Sequence, residues 1–240
     1  MEAIILAGGR GRRLGALTKK KQKAALCFCG TPLIVHVIND LLTQEIGRIN
    51  ILTGYRGKDV WQICVNYYSD QLDSGNIRIL DFPYIWGTLN RLMVAIPYLD
   101  ESFNGYYVCG IDSLIPFSVS KRFLRFTRFH QQQLILLLSP NIKKAPTHWR
   151  VRLIDNRIIS YNYFTDYSGD KGAFANLYAD VGVRYFPYRL ISELREMNYK
   201  GERNIPDFIF QKFQSGDSII GFPFSEDWKH VANPSDFQAV

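Results

Sequence analysis

Apolar residues along this 240-residue chain follow two alternating rhythms. Short, nearly unbroken runs such as Ala3-Ile4-Ile5-Leu6-Ala7, Ile49-Asn50-Ile51-Leu52 and the segments 106–112 and 134–138 predict strands buried on both faces. Between them Leu33, Ile34, Val37, Ile38, Leu41 and Leu42 recur at helical spacing behind Pro32, a residue suited to a first helical turn. Further helices are expected over 59–68, 88–96, 118–130, 190–197 and 205–213, and strands over 76–80 and 218–222. Two strand-like runs flanking Asp155-Asn156 predict a hairpin over 150–161. This order implies an α/β fold, a Rossmann-like and mostly parallel sheet with helices on both faces. Ligands of such sheets bind outside the carboxyl ends of the strands.

The first of those ends carries the densest chemistry. Gly8, Gly9 and Gly11 follow the first apolar run. A glycine-rich loop there lets backbone N–H groups approach phosphate oxygens with no Cβ in the way. Arg10, Arg12, Arg13, Lys19, Lys20, Lys21 and Lys23 crowd the same stretch. The net charge of +7 and the isoelectric point near 9.2 fit an anionic partner. Because the cations concentrate inside the glycine loop, a small polyphosphate fits better than nucleic acid. The dinucleotide fingerprint does not: Gly15 comes one residue late, and the second strand runs into Thr53-Gly54 rather than an acid. Nor is there a G-x-x-x-x-G-K-[ST] loop.

A hydrophobic content of 47% is ample for a core and argues against disorder. Cys27 and Cys29 are expected to alternate on one strand and face the same way, and C-x-C without a second pair is a weak zinc signal. The four cysteines read as reduced, buried thiols. The basic 118–130 helix is expected to lay its phenylalanines on the sheet and leave its arginines solvated. The N-terminal apolar run is too short for a signal peptide or a membrane span, which predicts a soluble, cytoplasmic protein.

Leu6, Ala7, Gly8, Gly9, Gly11, Arg13, Leu14, Leu17, Thr18 and Lys23 fall in register with the pattern L-A-G-G-x-G-[ST]-R-L-x-x-L-T-x-x-x-P-K. The stretch resembles the signature of the sugar-phosphate nucleotidylyltransferases, or nucleotide-sugar pyrophosphorylases. Arg12 stands where a small hydroxyl residue is usual and Gln22 where proline is usual. The resemblance continues at Gly87-Thr88, at Gly110-Ile111-Asp112 and at 228–236, which is similar to the family's closing W-x-D-I-x-T-P-E-D. Asn233 and Pro234 there suit the N-cap and first position of a last short helix.

This resemblance implies a single nucleotidyltransferase domain over 1–240, with a small acceptor-side β insertion at about 140–185. It implies a nucleotide cradled by the backbone of Leu6, Ala7, Gly8, Gly9 and Gly11, with Gly87 and Thr88 approaching the base. Arg13 would hold the β- and γ-phosphates and Lys23 the α- or acceptor phosphate. Mg²⁺ would bind Asp112, with His230 in the place of a usual second aspartate, and Gly182 would border the acceptor. The implied reaction joins an NTP and a sugar 1-phosphate into an NDP-sugar and pyrophosphate. No nucleic acid or membrane insertion is implied, and a homo-oligomer is compatible with it. The family's Glu-Lys-Pro is replaced by Ser160-Tyr161-Asn162-Tyr163, so base and acceptor stay open. One alternative is a phosphocholine-type cytidylyltransferase whose cage draws on Trp149 and the tyrosines of 149–178. Another is a non-catalytic nucleotide-sensing or scaffolding homologue.

Overall fold

The computed structural model describes residues 1–44, 46–141, 149–163, 176–198 and 200–237. Its first strand, β1 (Glu2–Leu6), is followed by the short pair β2 (Cys27–Phe28) and β3 (Thr31–Pro32), then α1 (Leu33–Leu42), β4 (Arg48–Thr53), α2 (Gly57–Asp73) and β5 (Ile77–Asp81). Next come α3 (Thr88–Ala95), β6 (Gly105–Gly110), β7 (Ser113–Leu114), α4 (Phe117–Phe129) and β8 (Leu134–Ser139). The chain continues with β9 (Trp149–Ile154), β10 (Arg157–Tyr163), β11 (Leu177–Pro187), α5 (Tyr188–Glu196), α6 (Ile205–Gln214), β12 (Ile219–Pro223) and β13 (Lys229–His230).

Among the described residues nine strands form one sheet, in the order β5-β4-β1-β6-β11-β8-β12-β10-β9. β5, β4, β1 and β6 run parallel, as do β8 and β12. β11 is antiparallel to β6 and β8, and β10 to β12 and β9. The sheet is thus parallel through β5-β4-β1-β6 and mixed beyond it, and alternation along β1 shows why it is covered twice. Ala3 and Ile5 pack on one face with Ile34, Ile38, Val60 and Phe123 of α1, α2 and α4. Ile4 packs on the other with Leu92, Leu190 and Phe208 of α3, α5 and α6. Each fully buried side chain of this size contributes about 1.5–3 kcal/mol. The stretch 177–187 is a long strand inside this main sheet. The residues 142–148 and 164–175 of the acceptor-side stretch lie outside the described set.

The expected hairpin is present, and its turn explains its sequence. Asp155 and Asn156 both take positive φ (46° and 62°), as a two-residue turn matching the twist of the strands requires, and both residue types tolerate that conformation. Four expectations need correction. Cys27 and Cys29 are exposed rather than buried: Cys29 (φ 47°) and Gly30 (φ 77°) form the turn between β2 and β3, so the two thiols do not share a strand. α2 runs on to Asp73 through a break at Tyr68, which sends the tyrosine ring into the core and its hydroxyl to Asn39 Oδ1 at 2.7 Å. β6 ends at Gly110, so Asp112 lies two residues beyond the strand rather than on its end. On α4, Phe123 is buried but Phe129, the last residue of the helix, is 76% exposed.

Candidate functional site

β1 delivers its chain into the glycine loop at the carboxyl edge of the sheet. Ala7 N–H still donates to Leu52 O at 2.9 Å, and Gly8 O accepts from Tyr55 N–H at 3.2 Å, so the loop starts anchored to the chain after β4. Gly11 then takes φ 61°, and an added Cβ would fall 2.9 Å from Thr18 Cγ2 and 3.3 Å from Lys23 Cβ. Glycine is needed there for conformation and for space. Leu14, almost fully buried, pins the following 3-10 segment, Arg12–Thr18, while Arg12 and Arg13 remain exposed beside it. Arg10 stacks over the Trp86 ring at 4.5 Å.

Gln22 replaces the expected proline with a set of bonds. Its backbone N–H donates to Asp59 Oδ2 at 2.8 Å, and its side chain donates to Ala7 O at 2.5 Å and accepts from Ala24 N–H. It therefore caps the 3-10 turn Lys23–Ala25 and ties that turn to the glycine loop. Lys23, mostly buried, then reaches Asp112 Oδ2 at 3.0 Å. Asp112 is fixed in turn: its backbone O accepts from Val231 N–H at 2.8 Å, and Ser113 pairs with His230 across β7 and β13. Burial lowers the His230 pKa below the ordinary histidine value; Asp112 raises it, while Lys23 and Arg13 lower it further. The imidazole is therefore neutral at pH 7.

The opposite wall is the turn into α3. Gly87 has φ 85°, and its Cα faces the backbone of Arg203 so closely that a side chain there would overlap it. Thr88 N–H donates to Asn204 Oδ1 at 3.2 Å, and Thr88 Oγ1 accepts from Ile205 N–H at 2.9 Å. Asn204 and Asp207 complete a capping box on α6. The Thr88 hydroxyl is thus committed to structure.

A third wall belongs to β9–β11. Trp149 stacks on Tyr161 (centroids 4.7 Å apart) and meets Tyr163 edge-on at 5.5 Å. Behind them Arg184 Nη2 donates to Asp180 Oδ2 at 2.7 Å and Tyr161 Oη donates to the same oxygen at 2.9 Å. Asp180 Oδ1 accepts from Gly182 N–H at 2.9 Å, holding the irregularity at which β11 shifts register. Burial pulls the Arg184 pKa down, but Asp180 and Tyr161 outweigh it, so the guanidinium stays charged.

One cleft of about 1230 Å³ joins the three walls. Leu6, Ala7, Gly8, Gly9, Gly11, Arg13, Lys23, Gly87, Thr88, Asp112 and Gly182 all line it; His230, paired with Ser113 on β13, does not. Sequence reasoning missed Gln22 as a cap, the Asp180–Arg184 pair, and Arg91, a nearly buried arginine in the cleft wall. The spacing of Asp180 and Arg184 on a strand carried a weak signal for that pair. Arg91 carried none, because its neighbours come from three separate segments.

A glycine loop at a parallel sheet's carboxyl edge, with cations facing an open cleft, defines an α/β protein of the nucleotide-handling class. Residues 3–157, well over half of the chain, match the model of the MobA-like NTP transferase domain, and the chain belongs to that family. It is 26% identical over 253 residues to a glucose-1-phosphate adenylyltransferase of Fervidobacterium nodosum, an alignment covering 95% of this chain and 57% of that protein. It is 45% identical over 114 residues to a 2-aminoethylphosphonate cytidylyltransferase of Lancefieldella rimae, covering 47% and 43%. The chain spans a little over half the length of the adenylyltransferases it matches. Among solved structures, the inositol-1-phosphate CTP transferase from T. maritima superposes with a TM-score of 0.77 at 18% identity, covering 99% of this chain and 91% of that one. That likeness is one of fold.

Proposed function

We propose that this protein is a nucleotidylyltransferase that joins an NTP to a sugar 1-phosphate, giving an NDP-sugar and pyrophosphate. The carrying observation is that Arg13, Lys23 and Asp112 line one cleft between the glycine loop and the Gly87-Thr88 turn. Two polyanions must meet in such a reaction, so the site has mainly to neutralise charge and align the reactants. The acceptor's phosphate oxygen attacks the α-phosphorus in line, a new P–O bond forms, and the bond to the β-phosphate breaks as pyrophosphate leaves. The nucleophile is already an anion and needs no general base. The planar fork of Arg13 suits the leaving phosphates, and Lys23 supplies a point charge at the α- or acceptor phosphate.

The donor set fits Mg²⁺ through the substrate rather than in a protein cage. Among the described residues no three His, Cys, Asp or Glu side chains cluster to hold a metal. Mg²⁺ commonly takes one or two carboxylates plus substrate phosphates and keeps its remaining waters. Asp112 would be that carboxylate, and the bound ion would offset phosphate charge. His230 is a softer donor outside the cleft lining and is the weaker half of the expected pair. Among the described residues no helix is long and apolar enough to cross a membrane.

A second reading takes a cytidylyl donor and a phosphonate or phosphate acceptor bearing an amine. The Lancefieldella rimae relative supports it, together with the Trp149 and Tyr163 faces in the same cleft as Glu202 and Asp207. Aromatic faces with carboxylates suit an ammonium group. Pyrophosphate release from each NTP with Mg²⁺ tests both readings, using a panel of sugar 1-phosphates, phosphocholine and 2-aminoethylphosphonate. Release with a sugar 1-phosphate is the expected result. Release only with an amine-bearing acceptor transfers the assignment to the second reading, and no release with any pair contradicts both.

A further inference from the structure

We infer that Asp59, outside the cleft lining, is a positioning residue for the proposed transfer: through Gln22 it fixes where Lys23 stands beside the glycine loop. This rests on the nucleotidyl-transfer reading, in which Lys23 meets a phosphate, and goes beyond it to what holds that lysine in place.

Gln22 directly precedes Lys23 and is almost fully buried. Its φ of −66° is the value that a proline ring imposes by itself. In this chain hydrogen bonds hold that backbone instead. The amide nitrogen of the side chain donates to Ala7 O at 2.5 Å, and its oxygen accepts from Ala24 N–H. Both of those bonds stay within the segment 7–24. The backbone N–H, which a proline would lack, donates to Asp59 Oδ2 at 2.8 Å, across 37 positions of sequence. This is the bond that ties the turn carrying Lys23 to α2, and a carboxylate acceptor makes it a strong one.

Asp59 is itself well anchored. It sits in the first turn of α2, where the helix dipole favours a negative charge. Its N–H donates to Arg56 O at 3.0 Å, and its Oδ2 also accepts from Arg56 Nε at 3.0 Å. From the same segment Tyr55 Oη donates to Thr18 O at 3.2 Å. Residues 55–59 therefore hold the chain on both sides of Lys19, Lys20 and Lys21, an exposed run whose like charges repel. Beyond that run Lys23 reaches Asp112 Oδ2 at 3.0 Å. A displacement of about 1 Å in such a site can cost about a hundredfold in rate.

The test uses pyrophosphate release with Mg²⁺, taking the fastest pair of an NTP (ATP, GTP, CTP, UTP or dTTP) with a sugar 1-phosphate, phosphocholine or 2-aminoethylphosphonate. Wild type, Asp59→Ala and Asp59→Asn are compared, each alone and combined with Lys23→Ala, alongside equilibrium binding of the same NTP. Asp59→Ala should lower kcat about tenfold while NTP affinity stays within about threefold. Asp59→Asn, whose amide oxygen can accept the same N–H, should recover most of the rate. On the Lys23→Ala background Asp59→Ala should lower kcat less than about twofold, because residues that act through one another are not additive. An unchanged kcat in Asp59→Ala would overturn the inference and leave the transferase reading standing. So would an Asp59→Asn as slow as Asp59→Ala, or a loss that multiplies with that of Lys23→Ala. No release from any pair with the wild type would overturn both.

Discussion

Lys23 Nζ lies 3.0 Å from Asp112 Oδ2, a contact between residues 89 positions apart. It brings the 3-10 turn after the glycine loop against the segment beyond β6, so the cation and the carboxylate of the proposed chemistry share one edge of the cleft. The pair is about a third exposed on the Asp112 side, and such pairs add only about 0–1 kcal/mol to stability. Its position matters more than its strength. Lys23→Ala and Arg13→Ala should each lower turnover at least about tenfold, the loss of roughly 1.4 kcal/mol of transition-state stabilisation. Their melting temperatures should stay close to wild type. Near-normal steady-state rates in either variant would remove the assigned roles.

Asp180 and Arg184 form a buried ion pair that also receives the Tyr161 hydroxyl. Asp180→Ala leaves the guanidinium buried without its carboxylate and should cost about 3–5 kcal/mol. Asp180→Asn keeps an acceptor for Gly182 N–H and should cost less. Urea denaturation of both variants measures the difference, and equal small losses would contradict the account of the β11 irregularity.

Gly87 combines φ 85° with a Cα pressed on the Arg203 backbone. Gly87→Ala must strain the backbone and displace the turn that precedes α6, at a cost of about 1–3 kcal/mol or more. Nucleotide affinity should fall with it, since the same turn forms one wall of the cleft. A variant with wild-type stability and affinity would refute this.

Asp40 sits in the last turn of α1, where the helix dipole disfavours a negative charge, and burial raises its carboxyl pKa. A raised carboxyl contributes stability below its unfolded pKa and loses it as the pH rises through the folded value. The raised carboxyl is therefore a liability at pH 7, and Asp40→Asn should stabilise the protein by about 0.5–1 kcal/mol. The gain should shrink toward pH 4. Denaturation midpoints across that range measure it, and a gain that grows on acidification would reverse the sign.

Periodicity and turn chemistry made much of this fold legible. The spacing behind Pro32 placed α1 at its observed limits, and Asp155-Asn156 announced the hairpin because few residues accept positive φ twice in succession. Cys27 and Cys29 misled because alternation continues through Cys29 although Gly30 turns the chain. The glycine loop, Arg13 and Lys23 could be found because they are close in sequence and share one register. Asp112 was marked as the acid that ends the apolar run 106–112, but nothing local shows that it turns back over Gly110, where an added Cβ would lie 2.8 Å from its Oδ1. Arg91 and the bonds of Gln22 were out of reach, because their partners come from distant segments that only folding brings together.

The central claim is that Arg13, Lys23 and Asp112 surround a bound NTP, and thermal unfolding tests it most directly. Each of ATP, GTP, CTP, UTP and dTTP would be added with and without Mg²⁺ to the wild type and to Asp112→Asn. Nucleotide at a hundred times its Kd adds about 2.7 kcal/mol, a shift of several degrees for a chain of this size. The account predicts that at least one nucleotide raises the wild-type melting temperature, more so with Mg²⁺, and that Asp112→Asn loses the Mg²⁺-dependent part. No shift with any nucleotide in the wild type would contradict it.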